Sequence, residues 1–421
     1  MEYGLIGSRL GHSYSKLIHE MLCGYHYDLC ALPTEDEARA FLEKRAFKAI
    51  NVTIPYKRLV MEYCSYIAPQ AKAIGAVNTV VNKNGLLYGY NTDAMGFTYL
   101  CDTHGVDFSG KTVLVLGTGG THSTVSAVVR DKGAARVLTV SRHPDAAKGE
   151  LSYAEASASG AQIVVNTSPA GMYPDVGVCN LDIAAMHGLE AVVDVVYNPN
   201  KTELMLRAEE AGVPIVINGL EMLVAQAVYA AEYFLGRPFE DAGAEITRVV
   251  AELRRDTLNI VLIGMPSSGK STIGRALAAK LGRTFVDIDE EIVRTANGTS
   301  IPDIFAAEGE DGFRRRETAE TARFAKENHQ VLACGGGVVK RPENIRALRS
   351  NGVILYIDRP VQELAVGGNR PLSSSAEALR IMAAERGPLY RAAADRIIAN
   401  TGSPADATAA VLEALDEIFS H

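Results

Sequence analysis

The sequence predicts an α/β protein built on parallel sheets. Short, continuous apolar runs rich in Val and Ile alternate with helical patterns along nearly the whole chain. Strands buried under helices on both faces have this character. Two glycine-rich turns, at 117–120 and 264–271, each follow such a run and open a helix. The length of 421 residues suits about three domains at roughly 150 residues each.

The strand candidates in order are YGLIG, KAINVTI, TVLVLG, RVLTVS, QIVVN, AVVDVV, PIVIN, NIVLIG, TFVDID, VLACGG and VILYI. TVLVLG opens a new sheet after the turn HGVDFSGK, which places a boundary near 104. The first domain is therefore expected over 1–103 and the second over 104–218. The stretch LEMLVAQAVYAAEYFLG has helical spacing and no strand after it, so 219–250 is expected to return to the first sheet. Polar residues 251–256 read as a linker, and 257–421 as a third domain.

Composition excludes several classes. Hydrophobic residues make up 47% and charged residues 22%, ordinary for a globular chain. A net charge of -8 leaves no footprint for nucleic acid or an anionic membrane surface. No apolar run approaches the roughly 18 residues of a membrane span, and the start, MEYGLIGSRLGHSYSK, has no signal-like apolar region. The 6 cysteines are scattered without a C-x-x-C pair. That argues against a disulfide framework or zinc site and suits a reducing, cytoplasmic setting.

The first glycine-rich turn sits in KTVLVLGTGGTHSTVSAVVRDKGAARVLTVSR, a strand, turn, helix and strand. Gly117 and Gly119 suit a tight turn against pyrophosphate at a helix N-terminus. His122 stands where the fingerprint has a third glycine. A plain glycine-rich turn would share much of this pattern. The second strand ends in Ser141-Arg142-His143. An NAD site wants Asp or Glu there; Arg142, with no carboxylate beside it in sequence, suits the 2′-phosphate of NADP instead. Its bland alternative is a solvated loop arginine.

Upstream lie GHSYSK with Ser13 and Ser15, NVTIPYK with Asn51, Thr53 and Lys57, GAVNT with Asn78, and GYNTD with Asp93. If GHSYSK is extended, the two serines share one side. Each motif has a dull alternative: turn serines, a surface lysine, or Thr92 or Asp93 as a helix N-cap. Together with NTSPAGM (166–172), DVVYNP (194–199) and NGLEMLVAQA (218–227), they resemble shikimate dehydrogenase over about residues 1–250. The resemblance implies a substrate-binding and catalytic α/β domain, a Rossmann NADP-binding domain, and reduction of 3-dehydroshikimate to shikimate with NADPH. It implies Lys57 and Asp93 as the catalytic pair. Ser13, Ser15, Asn51, Thr53, Asn78, Tyr197 and Gln226 would hold substrate. Gly117, Gly119, Gly120, Thr121, Ser141, Arg142 and Gly219 would surround NADP(H). Ser141 departs from the family, which usually has Asn there.

The second turn is a complete P-loop, Gly264-x-x-x-x-Gly269-Lys270-Ser271, between strand and helix. Its N–H groups cradle phosphates, its lysine reaches the β/γ oxygens and its serine meets Mg²⁺. Asp287 and Asp289 close TFVDID, where strand alternation would put both carboxylates on one side. Then follow Phe313-Arg314 with Glu317, Gly335-Gly336-Gly337, Gly368-Asn369-Arg370 and Arg386 to Tyr390. In this order they resemble shikimate kinase over about 257–421. That implies a P-loop kinase domain with a parallel sheet, ATP and Mg²⁺ as cofactors, and shikimate as acceptor. Gly264, Ser268, Gly269, Lys270, Ser271 and Thr272 would bind ATP, with Ser271 and Asp287 toward Mg²⁺. Asp289 would hold the acceptor hydroxyls and act as base. Arg314, Arg386, Gly336 and Gly337 would grip substrate, and Arg370 would close over the phosphoryl group. Ser267 replaces a glycine common in this P-loop, the lid between Gly368 and Arg370 is short, and Ala365-Val366 lacks an arginine often found nearby.

The two resemblances together imply one bifunctional enzyme carrying out consecutive steps toward chorismate, with small molecules as partners. The departures near the lid leave one alternative: an active dehydrogenase fused to a catalytically weak or regulatory P-loop module.

Overall fold

The computed structural model describes residues 1–10, 14–365 and 375–419. It divides into two compact units, Met1–Tyr197 with Thr202–Val250, and Ala251–His421 with Asn198–Lys201.

The first unit begins with strands β1 (Tyr3–Gly7), β2 (Asp28–Ala31), β3 (Ala49–Val52), β4 (Tyr66–Ile67), β5 (Thr79–Lys83) and β6 (Leu86–Tyr90). They form one sheet in the order β2-β1-β3-β5-β6-β4. Helices α1 (Ser15–Leu22), α2 (Glu35–Lys44), α3 (Pro69–Ile74) and α4 (Thr92–Thr103) accompany it. The expectation of parallel sheets needs correction here, because β5 runs antiparallel to both β3 and β6. The cause is local. Asn84 and Gly85 take positive φ, 54° and 85°, the two-residue turn that matches strand twist in a hairpin. GHSYSK is also not extended at Ser15, which starts α1; Ser13 lies outside the described residues.

The second sheet of this unit has β7 (Thr112–Leu116), β8 (Arg136–Val140), β9 (Ile163–Asn166), β10 (Ala191–Asp194) and β11 (Ile215–Ile217). All pairings are parallel, in the order β11-β10-β9-β7-β8. Helices α5 (Gly120–Asp131), α6 (Tyr153–Ser157), α7 (Glu203–Glu210), α8 (Leu220–Leu235) and α9 (Ala242–Thr257) follow. Alternation splits β7 between two cores. Val113 and Val115 face Phe97, Leu100 and Phe108, while Leu114 and Leu116 face Ile183 and Leu204. Helix α8 packs on α1, α4, β3 and β5. Residues 251–256 lie inside α9; Ala-Glu-Leu-Arg-Arg are strong helix formers with no Gly or Pro to stop them.

The second unit has β12 (Asn259–Ile263), β13 (Thr284–Asp287), β14 (Gln330–Ala333), β15 (Gly352–Asp358) and β16 (Arg396–Ala399). They are parallel, in the order β13-β14-β12-β15-β16. Helices α10 (Lys270–Leu281), α11 (Ile288–Thr295), α12 (Ile301–Ala325), α13 (Pro342–Asn351), α14 (Ala376–Ala393) and α15 (Pro404–Phe419) cover both faces. In both parallel sheets a glycine-rich turn leaves an inner strand whose neighbours connect in opposite directions. Such switch points are where open α/β sheets bind ligands. Among the described residues no helix is long and apolar enough to cross a membrane.

Helices α4 and α8 meet at Gly96. A Cβ there would lie 2.5 Å from the Met222 carbonyl oxygen and 3.0 Å from the Gln226 nitrogen. Gly96→Ala improves helix propensity by about 1 kcal/mol but overpacks this seam. The expected outcome is a net destabilisation of about 1–2 kcal/mol, read as a lower urea midpoint of the first unit. A raised midpoint would contradict so close an approach.

Candidate active sites

In the first unit a buried polar network brings β3, β5 and the start of α4 together. Asn51, at the core of β3, donates to Asn78 O at 3.3 Å and Thr79 Oγ1 at 3.1 Å. Asn78 Oδ1 accepts from the Thr92 N–H at 2.7 Å, and its Nδ2 donates to Thr92 Oγ1 at 3.1 Å. Asn91, not Thr92 or Asp93, caps α4, accepting from the Ala94 N–H at 3.0 Å. Asp93 is thereby left at the first turn of the helix, where the dipole favours a carboxylate. Its Oδ2 meets Lys57 Nζ at 2.5 Å, with each side chain 15% exposed. Lys57 reaches this point from the turn after β3, which is tied back by its carbonyl to the Val77 N–H.

Thr53 is half-buried just past β3. Gln226 in α8 turns its amide to Leu223 O at 2.9 Å. Tyr197 follows β10 and packs against Tyr14 with ring centroids 5.6 Å apart and planes tilted by 46°. Asp194 holds this loop, accepting from the Val196 N–H at 3.0 Å, Thr202 Oγ1 at 2.7 Å and Asn166 Nδ2 at 2.9 Å. Burial pushes its carboxyl up to about 7.

Two supporting residues were invisible in the motifs. Tyr27 donates to Asn51 Oδ1 at 2.7 Å, and the fully buried His19 stacks on Tyr27 at 4.2 Å. Only the tertiary fold places them behind Asn51.

The first glycine-rich turn has the shape of a phosphate cradle. Gly117 has φ 97°, and a Cβ on it would lie 3.0 Å from Ser168 Cβ. Cβ atoms on Gly119 and Gly120 would meet nothing within 4 Å, so the N-terminus of α5 is open to a ligand. His122 does not block it: Nε2 is 2.9 Å from Thr139 Oγ1, on β8. Gly219 starts α8 so close to β10 that a Cβ would collide with the Val195 carbonyl. Arg142 is exposed beyond β8. Ser141 donates to Glu150 Oε2 at 3.1 Å. The fold thus sets beside Ser141 a carboxylate that the local sequence lacks.

In the second unit, Lys270 is buried and donates to Gly264 O at 2.9 Å and Met265 O at 2.8 Å. Ser268 Oγ is buried with no protein partner among the described residues. Its carbonyl is held by Asn400 Nδ2 at 2.8 Å. Ser267 takes the positive φ, 64°, that a glycine would adopt freely. Ser271 Oγ donates to Asp287 Oδ2 at 2.6 Å, and Thr272 follows in the first turn of α10.

Asp287 and Asp289 do not alternate on a strand. Asp287 is the N-cap of α11 and accepts the Asp289 N–H at 3.1 Å. A capping turn, not strand alternation, therefore relates the two residues.

The three glycines after β14 make room for side chains. A Cβ at Gly335 would lie 2.7 Å from Asp289 Oδ1 and 2.8 Å from Glu317 Oε1; at Gly337 it would strike Arg314. Gly336 O accepts from Arg386 Nη1 at 2.8 Å and from the Tyr390 hydroxyl. Arg314 is gripped by Glu317 at 2.7 Å and Glu310 at 3.2 Å. Burial raises the Glu317 carboxyl against the pull of Arg314. Arg370 lies outside the described residues, as do Gly368 and Asn369.

Known proteins match both units. The shikimate kinase family model matches residues 266–416, and the model of the shikimate dehydrogenase substrate binding domain matches 5–80. Shikimate dehydrogenase (NADP(+)) of Clostridium perfringens is 35% identical over 250 residues, 56% of this chain and 92% of that protein. A chorismate mutase/shikimate 5-dehydrogenase fusion protein from Clostridium acetobutylicum shares the fold with TM-score 0.55 and 33% identity, covering 60% of this chain and 97% of that one. Shikimate 5-dehydrogenase from Thermus thermophilus, solved in complex with NADP(H) and shikimate, gives TM-score 0.51 at 30% identity, covering 58% and 97%.

Burial holds the His19 imidazole down to about 3, well below its ordinary value, against a weaker opposing pull from Asn51. The unfolded chain therefore takes up a proton below about pH 6.5 that the folded chain refuses. Stability from this site is complete above that pH and falls as pH drops toward 3. His19→Gln should flatten the loss in melting temperature of the first unit between pH 7 and pH 5. An unchanged slope would assign the loss to other groups.

Proposed function

The chain belongs to the shikimate dehydrogenase family and carries a shikimate kinase domain behind it, and from that premise we propose the reactions and residue roles that follow. The enzyme is bifunctional: it reduces 3-dehydroshikimate to shikimate with NADPH, then transfers phosphate from ATP to shikimate, giving shikimate 3-phosphate. The carrying observation is the pairing of Lys57 with Asp93 at 2.5 Å in one unit, in a chain whose other unit has a complete P-loop backed by Asp287 and Asp289.

NADPH, when bound, supplies the hydride. Gly117, Gly119 and Gly120 would hold its pyrophosphate at the α5 N-terminus, and Arg142 its 2′-phosphate. Lys57 donates a proton to the ketone oxygen as negative charge gathers there, and Asp93 orients the ammonium. Asn51 and Asn78 are the amides offered to the substrate hydroxyls beside the partners they already hold in the protein. Their own hydrogen bonds fix which way each points.

In the kinase unit, Lys270 exchanges the Gly264 and Met265 carbonyls for phosphate oxygens, and the partnerless Ser268 hydroxyl fits the same ligand. Ser271 and Asp287 offer oxygens suited to Mg²⁺. Asp289 holds the acceptor hydroxyl and takes its proton. Arg314 and Arg386 grip the carboxylate of shikimate, where a guanidinium fork matches a planar anion. The intact Lys270, Ser271 and Asp287 disfavour the alternative of a weak or regulatory module.

Lys57→Ala should lower ketone reduction about 100-fold or more while leaving phosphorylation of added shikimate intact; Lys270→Ala should do the reverse. A coupled assay with 3-dehydroshikimate, NADPH, ATP and Mg²⁺ reads both. Wild-type chain that stops at shikimate under saturating Mg-ATP would remove the kinase assignment.

A further inference from the structure

We propose that Glu150 sets the choice between the two nicotinamide cofactors by opposing Arg142 at the adenosine end of the first nucleotide site. This deepens the assignment of that site to NADP(H) and rests on it. In dinucleotide-binding sheets, the end of the second strand recognises the adenosine ribose. An acid there binds the ribose hydroxyls of NAD, and a cation accepts the 2′-phosphate of NADP. By sequence this chain has only the cation, Arg142.

The fold adds the acid. After β8 the chain turns through a short 3₁₀ segment, Ala146–Lys148, and comes back along the strand. Leu151 bridges to Val140, with the Leu151 N–H on Thr139 O at 2.9 Å and the Ser141 N–H on Leu151 O at 3.0 Å. This return sets Glu150 beside Ser141.

Glu150 Oε2 accepts from Ser141 Oγ and from the Asp145 N–H, both at 3.1 Å. Both donors are neutral, so they fix the carboxylate without cancelling its charge. The nearby Lys148 ammonium is 3.1 Å from Asp145. The charge on Glu150 also reaches the first turn of α5. Burial lowers the His122 imidazole there, Arg130 adds to the lowering, and Glu150 opposes it. A carboxylate held in this place accepts a ribose hydroxyl and repels a 2′-phosphate. Selectivity is then the difference between an attractive and a repulsive element at one locus.

The test uses the full chain, with kcat and KM for NADPH and for NADH in wild type, Glu150→Gln, Glu150→Ala and Arg142→Ala, at one salt concentration. Kinase activity of each variant reports on the integrity of the chain. Glu150→Gln keeps an oxygen for Ser141 and Asp145 but loses the charge. It should raise the NADPH-to-NADH ratio of kcat/KM roughly tenfold, mainly through KM. A ratio within twofold of wild type overturns the proposal. So does a purely structural pattern, in which Glu150→Ala weakens both cofactors alike and Glu150→Gln restores both. Arg142→Ala should lower the same ratio about tenfold. If it does not, the assignment of Arg142 fails and takes the proposal with it. A drop with Arg142→Ala but no change with Glu150→Gln overturns the role of Glu150 alone.

Discussion

The first unit depends on a buried polar cluster in which Asn51, Asn78, Thr79 and Thr92 bond one another and Asn91 beside them bonds Ala76 O and the Ala94 N–H. All five are buried, and a buried amide left without partners would be costly. Satisfying them requires β3, β5 and the first turn of α4 to meet in one register. That register is also what brings Lys57 and Asp93 together. Helix α4 then carries the constraint outward. Gly96 admits α8, and Phe97 and Leu100 pack under β7. The Lys57–Asp93 pair, the returning helix and the sheet behind the first glycine-rich turn are thus aligned by one helix whose start is held by Asn78, Asn91 and Thr92.

In the second unit a comparable role falls to close approach. Gly335 and Gly337 leave no room for a Cβ because Asp289, Glu317 and Arg314 converge on them. Arg314 reaches the site only because Glu317, fully buried, and Glu310 neutralise and orient it. A buried ion pair of this kind stabilises little on its own. Its benefit is direction: the two carboxylates fix the plane of the guanidinium.

The cofactor end of the first unit shows how local chain reversal changes a site. Ser141 and Arg142 alone describe a basic pocket. The parallel bridge between Val140 and Leu151 brings Glu150 to Ser141, so an acid distant in sequence joins the end of β8. The loop near Tyr197 is organised differently, around the single buried carboxylate of Asp194. Three donors converge on it.

By itself, the sequence determined the α/β class, the eleven apolar strands and both glycine-rich turns. Each of these is a local property: strand hydrophobicity, a Gly-Lys-Ser turn before a helix, a motif a few residues long. The antiparallel hairpin at Asn84-Gly85 was legible too, as a two-residue turn, but it lies outside any catalytic motif. The helix through 251–256 was legible in propensity alone. Other features needed tertiary structure because they arise between distant segments. Asn91 caps α4 beside the contact that Asn78, at the start of β5, makes with the Thr92 N–H. Asp287 and Asp289 are linked by a capping turn, which a strand pattern of alternating residues does not encode. His19 and Tyr27 stand behind Asn51, and Glu150 beside Ser141. Hydrophobic periodicity and motif spacing report what a segment can become. Which polar groups must satisfy one another is decided only when burial removes water as their partner.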